Sequence, residues 1–225
     1  MEENKRILIF STHPDDACIS FGGLIYREIK LGHEVFVHTL TMGGPCSNVD
    51  STQRHIEDVN ALLKLGVDAD HYSYSGVDMD GKLSLIPNTE ITSMMDKMIN
   101  GIKPHEVYCT PDSEHVDHKS TVTAFKASAR LRSGWQPRLW CIGTYMFSQQ
   151  LNSDFGSGSG YMYQPLTEED FDMKCEAFKE YKSQFKPSPN PLGIDGLRTM
   201  AEYYGMLCGY KYAEMYYQLK YIREI

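Results

Sequence analysis

From Arg6 to Thr110, apolar runs of strand length alternate with longer stretches of helical periodicity, and that alternation limits the fold more than any other feature of the chain. Strands read at Arg6 to Ser11, Glu34 to Thr41, Asp70 to Tyr74 and Glu106 to Thr110. Between them, Ala17 to Leu31, Thr52 to Leu65 and Thr89 to Gly101 read as helices, the first two stopped by Gly32 and Gly66. Strand–helix alternation of this kind predicts an α/β fold, a three-layer α/β/α Rossmann-like arrangement with a mostly parallel sheet covered by helices on both faces.

Beyond Thr110 the pattern weakens. Lys119 to Arg132 reads as a helix, Arg138 to Phe147 as a strand, Thr167 as the N-cap of a helix running to about Phe185, and Ile194 to Tyr217 as helical packing over the sheet. The tract from Ser153 to Gly160 contains only Gly, Ser, Asp and Phe and reads as a linker or an active-site loop. The length of 225 residues suits one domain over residues 1–225, and no internal repeat divides it.

Two polar clusters interrupt this scaffold, each directly after a predicted strand. His13-Pro14-Asp15-Asp16 follows the first, and His115-Val116-Asp117-His118 follows the fourth. In open parallel sheets ligands bind outside the carboxyl ends of strands, so both clusters would lie on the functional edge. A catalytic zinc takes three nitrogen or oxygen ligands and keeps one position open for water. His13, Asp16 and His118 would supply that set and leave Asp15 free to take a proton from the water. The competing reading of the first cluster is that Asp15 and Asp16 cap the following helix. In the second cluster one histidine can ligate while the other faces substrate, and Asp117 can orient an imidazole.

Composition removes several other functions. Thirty acidic against 22 basic side chains give a net charge of -8 with no block of like charge, which argues against nucleic acid as a partner. No apolar stretch is long enough for a signal peptide or a membrane span, so the expected location is cytoplasmic. Six scattered cysteines without a C-x-x-C pair fit free thiols in a reducing compartment. A homo-oligomer is compatible with all of this.

With those residues in view, the chain resembles the PIG-L/LmbE-type family of zinc-dependent N-deacetylases. The resemblance rests on Thr12 through Asp16, His115 through His118, Gly22-Gly23, Arg54 and Glu57 with Ala61 and Leu65-Gly66, Lys174 through Ser183-Gln184, and Tyr212-Ala213-Glu214. It implies Zn2+, or another divalent metal, on His13, Asp16 and His118. Asp15 would be the base and His115 the partner of the oxyanion or leaving group. Arg54, and Asp80 by an acidic family position before glycine, would contact substrate. Ala17 stands where the family often has Glu, and Ser113 where it often has Asp, with Asp112 one residue further back.

The expected reaction is removal of the acetyl group from an N-acetylglucosamine-type sugar or conjugate, a small-molecule substrate. Metal and Asp15 would activate water, and His115, kept as an imidazolium by Asp117, would stabilise the developing oxyanion. Two alternatives remain open: hydrolysis of another amide or ester on the same fold, and a metal-binding module without turnover. Trp135, Tyr145 and Tyr161 could stack on a sugar ring, although such aromatics more often pack in cores and rims. Gly22 and Gly23 read as close helix packing rather than a phosphate loop.

Overall fold

A computed structural model of the chain describes residues 4–43, 49–77, 79–132, 134–144 and 160–223. Its strands are β1 (Arg6–Ser11), β2 (Glu34–Met42), β3 (Tyr72–Val77), β4 (Glu106–Cys109), β5 (Leu139–Gly143), β6 (Gly160–Leu166) and β7 (Tyr212–Tyr221). The helices are α1 (Asp16–Lys30), α2 (Ser51–Lys64), α3 (Asn88–Ile102), α4 (Val116–Ser128), α5 (Glu168–Phe178) and α6 (Ile194–Cys208). All seven strands join one sheet in the order β3-β2-β1-β4-β5-β7-β6. The first five are mutually parallel, while β7 runs antiparallel to both β5 and β6.

The sequence explains the layers. Ile7, Leu8, Ile9 and Phe10 are all fully buried, as a central parallel strand covered on both faces requires. Ile7 and Ile9 pack with Phe21, Ile25 and Leu62 beneath α1 and α2, whereas Leu8 and Phe10 pack with Met95, Ile99 and Phe125 from α3 and α4. Gly22 and Gly23 let α1 approach its neighbours closely. A Cβ on Gly23 would stand 2.4 Å from Leu166, and one on Gly22 would stand 2.9 Å from Lys174. That is the helix-packing role, not a phosphate loop.

The predicted α/β order holds, and the departures have physical causes. The segment read as a helix from Lys119 begins three residues earlier, at Val116, because His115 is its N-cap and offers Nδ1 to the Asp117 amide. It also ends at Ser128 rather than Arg132, where Arg132 folds back and donates to the Ser128 carbonyl at 2.8 Å. The tail from Ile194 is helical only to Cys208; Gly209, at φ 83, ends the helix and β7 follows. In β7, Tyr216 faces one core and Tyr217 the other, so no polar alternation marks it as a strand. Thr167 does cap α5, in a reciprocal pair with Asp170, but α5 stops at Phe178 rather than Phe185. β3 begins at Tyr72, after a 3-10 turn at Ala69–His71. β5 spans Leu139–Gly143, and β6 was not foreseen. Tyr145, Cys46, Asp78 and all but Gly160 of the glycine/serine tract lie outside the described residues.

β1 lies between β2 and β4, where the winding of the parallel strands reverses. The first polar cluster leaves β1 and the second follows β4, so both open into the same crevice, the switch point at which α/β sheets bind ligands. Two threonines fix their alignment: the Thr12 amide donates to Thr110 Oγ1 at 3.1 Å, and the two hydroxyls lie 2.8 Å apart.

Candidate active site

Backbone geometry at the end of β1 sends the two carboxylates in different directions. Asp15 adopts φ 95, a left-handed conformation that costs a non-glycine residue on the order of 1–3 kcal/mol. Although it is the N-cap of α1, its side chain makes no capping bond. Asp16 instead accepts the His13 amide at 2.9 Å. The helix-capping reading of this pair therefore fails at Asp15, and the strained turn serves to present its carboxylate to the crevice.

His13, Asp16 and His118 meet in a near-equilateral triangle. His13 Nδ1 lies 3.3 Å from Asp16 Oδ2 and 3.2 Å from His118 Nε2, and His118 Nε2 lies 3.1 Å from Asp16 Oδ2. Both imidazoles present the required nitrogen. His118 Nδ1 is 2.7 Å from the Pro111 carbonyl, which only accepts, so Nδ1 holds the proton there. His13 Nε2 faces Asp117 Oδ2 at 3.1 Å and Asp80 Oδ1 at 3.4 Å, so its proton belongs on Nε2. Two imidazole nitrogens and a carboxylate oxygen at this spacing call for a cation between them. Tetrahedral zinc, with bonds of about 2.1 Å, separates its ligands by about 3.4 Å, so the donors fit a divalent metal in both type and spacing.

Electrostatics agree with a site made for positive charge. Burial disfavours charged imidazoles at His13 and His118, yet the Asp117 and Asp16 carboxylates, which accept from the His13 ring, and the charge of Asp16 beside His118 raise both above the ordinary range. Burial disfavours ionised Asp16 as well, and the two imidazoles nevertheless drive its carboxyl far below the usual value. Asp15 behaves differently. Burial pushes it up to about 7, only partly opposed by Arg54.

A second group of donors, His13, Asp80, His115 and Asp117, lies on the other side of the His13 ring. It is less ready for an ion, because Asp117 is already spent. Its Oδ2 accepts the Gly81 amide at 2.6 Å and its Oδ1 the Leu83 amide at 2.8 Å, in addition to facing His13. Asp117 is fully buried, and it holds His13 in place rather than pairing closely with His115, whose Nδ1 is 4.0 Å away.

This placement runs against the expected imidazolium. His115 Nδ1 accepts the Asp117 amide, which it can do only unprotonated, and burial together with the charge of His13 lowers its pKa. Both features disfavour the charged ring, and Nε2 stands 3.8 Å from Asp80 Oδ1.

Arg54 is not the solvated charge that a first-turn helix position suggests. It is 5% exposed, donates from Nη2 to the Pro14 carbonyl at 2.7 Å, and stands 3.7 Å from Asp15 Oδ1. Its Nη1 is buried and has no partner among the described residues. These groups open on a cleft of about 320 Å³ whose wall also includes Glu114, Gln184 and Leu192. Nothing in residue type or spacing singles out Glu114 or Leu192. Gln184 was visible only in the Ser183-Gln184 pair, which Glu57 anchors by accepting the Ser183 amide at 3.0 Å. Trp135 packs against the core and Tyr161 is exposed on β6, so neither lines this cleft.

The fold and the crevice define a three-layer α/β protein with a His/Asp/His group that could hold a divalent metal. The family model described as PIG-L: GlcNAc-PI de-N-acetylase matches residues 8–129, and the chain belongs to that family. The diacetylchitobiose deacetylase of Thermococcus kodakarensis is 26% identical over 221 residues, covering 93% of this chain and 81% of that protein. The crystal structure of a zinc-inhibited form of teicoplanin deacetylase superposes with a TM-score of 0.75 at 19% identity, over 95% of this chain and 97% of the other. A 4-carboxy-2-hydroxymuconate hydratase from Pseudomonas putida KT2440 also superposes, with a TM-score of 0.72 at 16% identity, covering 98% of each chain. Among the described residues no helix is long and apolar enough to cross a membrane.

Proposed function

We propose that this chain is a metal-dependent hydrolase that removes the N-acetyl group from an N-acetylglucosamine-type sugar or sugar conjugate, and that residues 1–225 act as one domain. The observation that carries the reading is the triangle of His13, Asp16 and His118 set beside a buried, strained Asp15 whose pKa is raised to about 7. Membership of a de-N-acetylase family, and a relative named as a diacetylchitobiose deacetylase along most of the chain, support the bond and the sugar. The continuity of one sheet from β3 to β6 supports the single domain.

His13, Asp16 and His118 would hold the metal, with zinc favoured by the nitrogen-rich donor set over magnesium or calcium. When bound, such an ion acidifies water and polarises the amide carbonyl. The chain's own groups do the rest. Asp15 takes a proton from the attacking water, a task suited to a carboxylate tuned toward neutral pH. As the tetrahedral intermediate forms, the neutral His115 donates from Nε2 to its oxygen, and needs no net charge to do so. On collapse, Asp15 returns the proton to the leaving amine. Arg54 holds the Pro14 carbonyl, which keeps the strained turn in place, and offers Nη1 to a substrate oxygen. Asp80, at the cleft wall beside both imidazoles, accepts a sugar hydroxyl.

The hydratase of like fold shows why the reaction must be measured, since one scaffold carries different chemistries. The purified, zinc-supplemented chain offered N-acetylglucosamine and N,N'-diacetylchitobiose should release acetate and free amine in equal amounts. Acetate release from neither sugar, with turnover of a different amide or ester, would replace the N-acetyl sugar reading.

A further inference from the structure

The charge of the cleft says which N-acetylated sugars it accepts. Among the described residues lining it, Arg54 is the single Lys or Arg, and its Nη2 is committed to the Pro14 carbonyl and held near Asp15. Asp80 and Glu114 stand on the wall as additional carboxylates, beyond Asp15 and Asp16 at its floor. The residues outside the described set, 1–3, 44–48, 78, 133, 145–159 and 224–225, contain no Lys, Arg or His side chain. Lys119 pairs with Glu114 at 3.4 Å on the exposed rim and does not itself line the cleft; solvent screens both charges, so the less exposed Asp80 carries more of the wall's negative field than Glu114 does. A divalent ion in the His13–Asp16–His118 triangle would be offset by Asp15 and Asp16, leaving Asp80 and Glu114 to face the one guanidinium.

We infer that the cleft selects N-acetylated sugars free of phosphate near the reacting unit, with Glu114 as one determinant of that selection. The inference rests on the deacetylase reading and specifies its substrate. A phosphomonoester brings about -1.5 to -2 of charge and is ordinarily met by several cationic or amide donors. This wall instead presents carboxylates that repel it, an arrangement that discriminates by penalising the wrong ligand. Sugar hydroxyls fit the same wall. They donate to Asp80 and Glu114, and accept from Arg54 Nη1 and the Gln184 amide.

The test compares N-acetylglucosamine with its 6-phosphate and 1-phosphate on the full, zinc-loaded chain. The neutral sugar should lead in kcat/KM by at least about tenfold, with the gap narrowing as salt rises from about 0.05 to 0.3 M. Glu114→Lys should lower the neutral-to-phosphate ratio several-fold. Equal or faster turnover of either phosphate, or a ratio that ignores both salt and Glu114→Lys, overturns the inference and leaves the deacetylase reading intact. If no sugar releases acetate, the deacetylase reading fails, and charge selection is read from binding. Glucosamine should then raise the unfolding temperature of the zinc-loaded chain more than glucosamine 6-phosphate does, and the reverse order overturns the inference.

Discussion

Arg54 and Asp15 are held 3.7 Å apart inside the protein, the guanidinium on the first turns of α2 and the carboxylate on the strained turn after β1. The guanidinium opposes the effect of burial on that carboxylate without cancelling it. Burial lifts Asp15 toward neutrality, and Arg54 limits how far. The pH at which Asp15 ionises therefore depends on a residue from another element.

The acid limb of the pH profile follows. Asp15 must be ionised to accept a proton, so kcat/KM should fall about tenfold per pH unit below its midpoint. That midpoint should lie above the ordinary carboxylate value and no higher than about 7, since bound metal can only lower it. Because Arg54 favours the ionised form, Arg54→Gln should move the limb to higher pH. A limb that stays in place in the variant would show that another group is titrating.

Asp15→Asn should keep its metal and lose turnover. Removing a general base costs roughly 10²- to 10⁴-fold in rate, while the donor triangle of His13, Asp16 and His118 is left whole. Stopped acetate assays beside elemental analysis of the same sample test both halves, and near-normal turnover with full metal content would remove Asp15 from its role.

Asp117→Asn should act on the metal through His13. The carboxylate fixes the His13 ring and closes the Gly81 and Leu83 amides, and loss of such a partner weakens metal affinity by about 10- to 100-fold. Competition with a chelator measures this directly. Unchanged affinity would mean that the ring needs no outer support.

Glu214 makes a prediction about stability far from the cleft. Its buried carboxylate accepts from Lys174 Nζ at 2.6 Å, the Gly23 and Leu24 amides and the Tyr216 hydroxyl, tying α1 and α5 to β7. Glu214→Ala leaves Lys174 charged and buried, which should cost roughly 3–5 kcal/mol in urea unfolding. A loss below about 1 kcal/mol, the range of exposed pairs, would show that water reaches the site.

The parts of this molecule that follow from local pattern were legible in the sequence. β1, α1 and β2 fall within a residue or two of the expected positions because their apolar periodicity and glycine stops are unambiguous. β7 was misread as helix because it is buried on both faces and rich in tyrosine, which erases the period of two. At the site, residue type and spacing brought out His13, Asp15, Asp16 and His118. They could not assign the partner of Asp117, because the choice between His13 and His115 depends on where the Gly81 turn delivers its amides. That this geometry disfavours a charged His115 was hidden for the same reason, since it follows from an imidazole capping its own helix. Arg54 stood out only through the family resemblance, because nothing local marks a helix-surface arginine as buried.

The most direct test is the metal content of the wild-type chain and of His118→Ala after equilibration with limiting zinc, with circular dichroism confirming that both are folded. One ion should bind per wild-type chain through nitrogen and oxygen ligands, and replacing His118 should cost at least about tenfold in affinity. A folded His118→Ala chain that binds zinc as tightly as the wild type would contradict this.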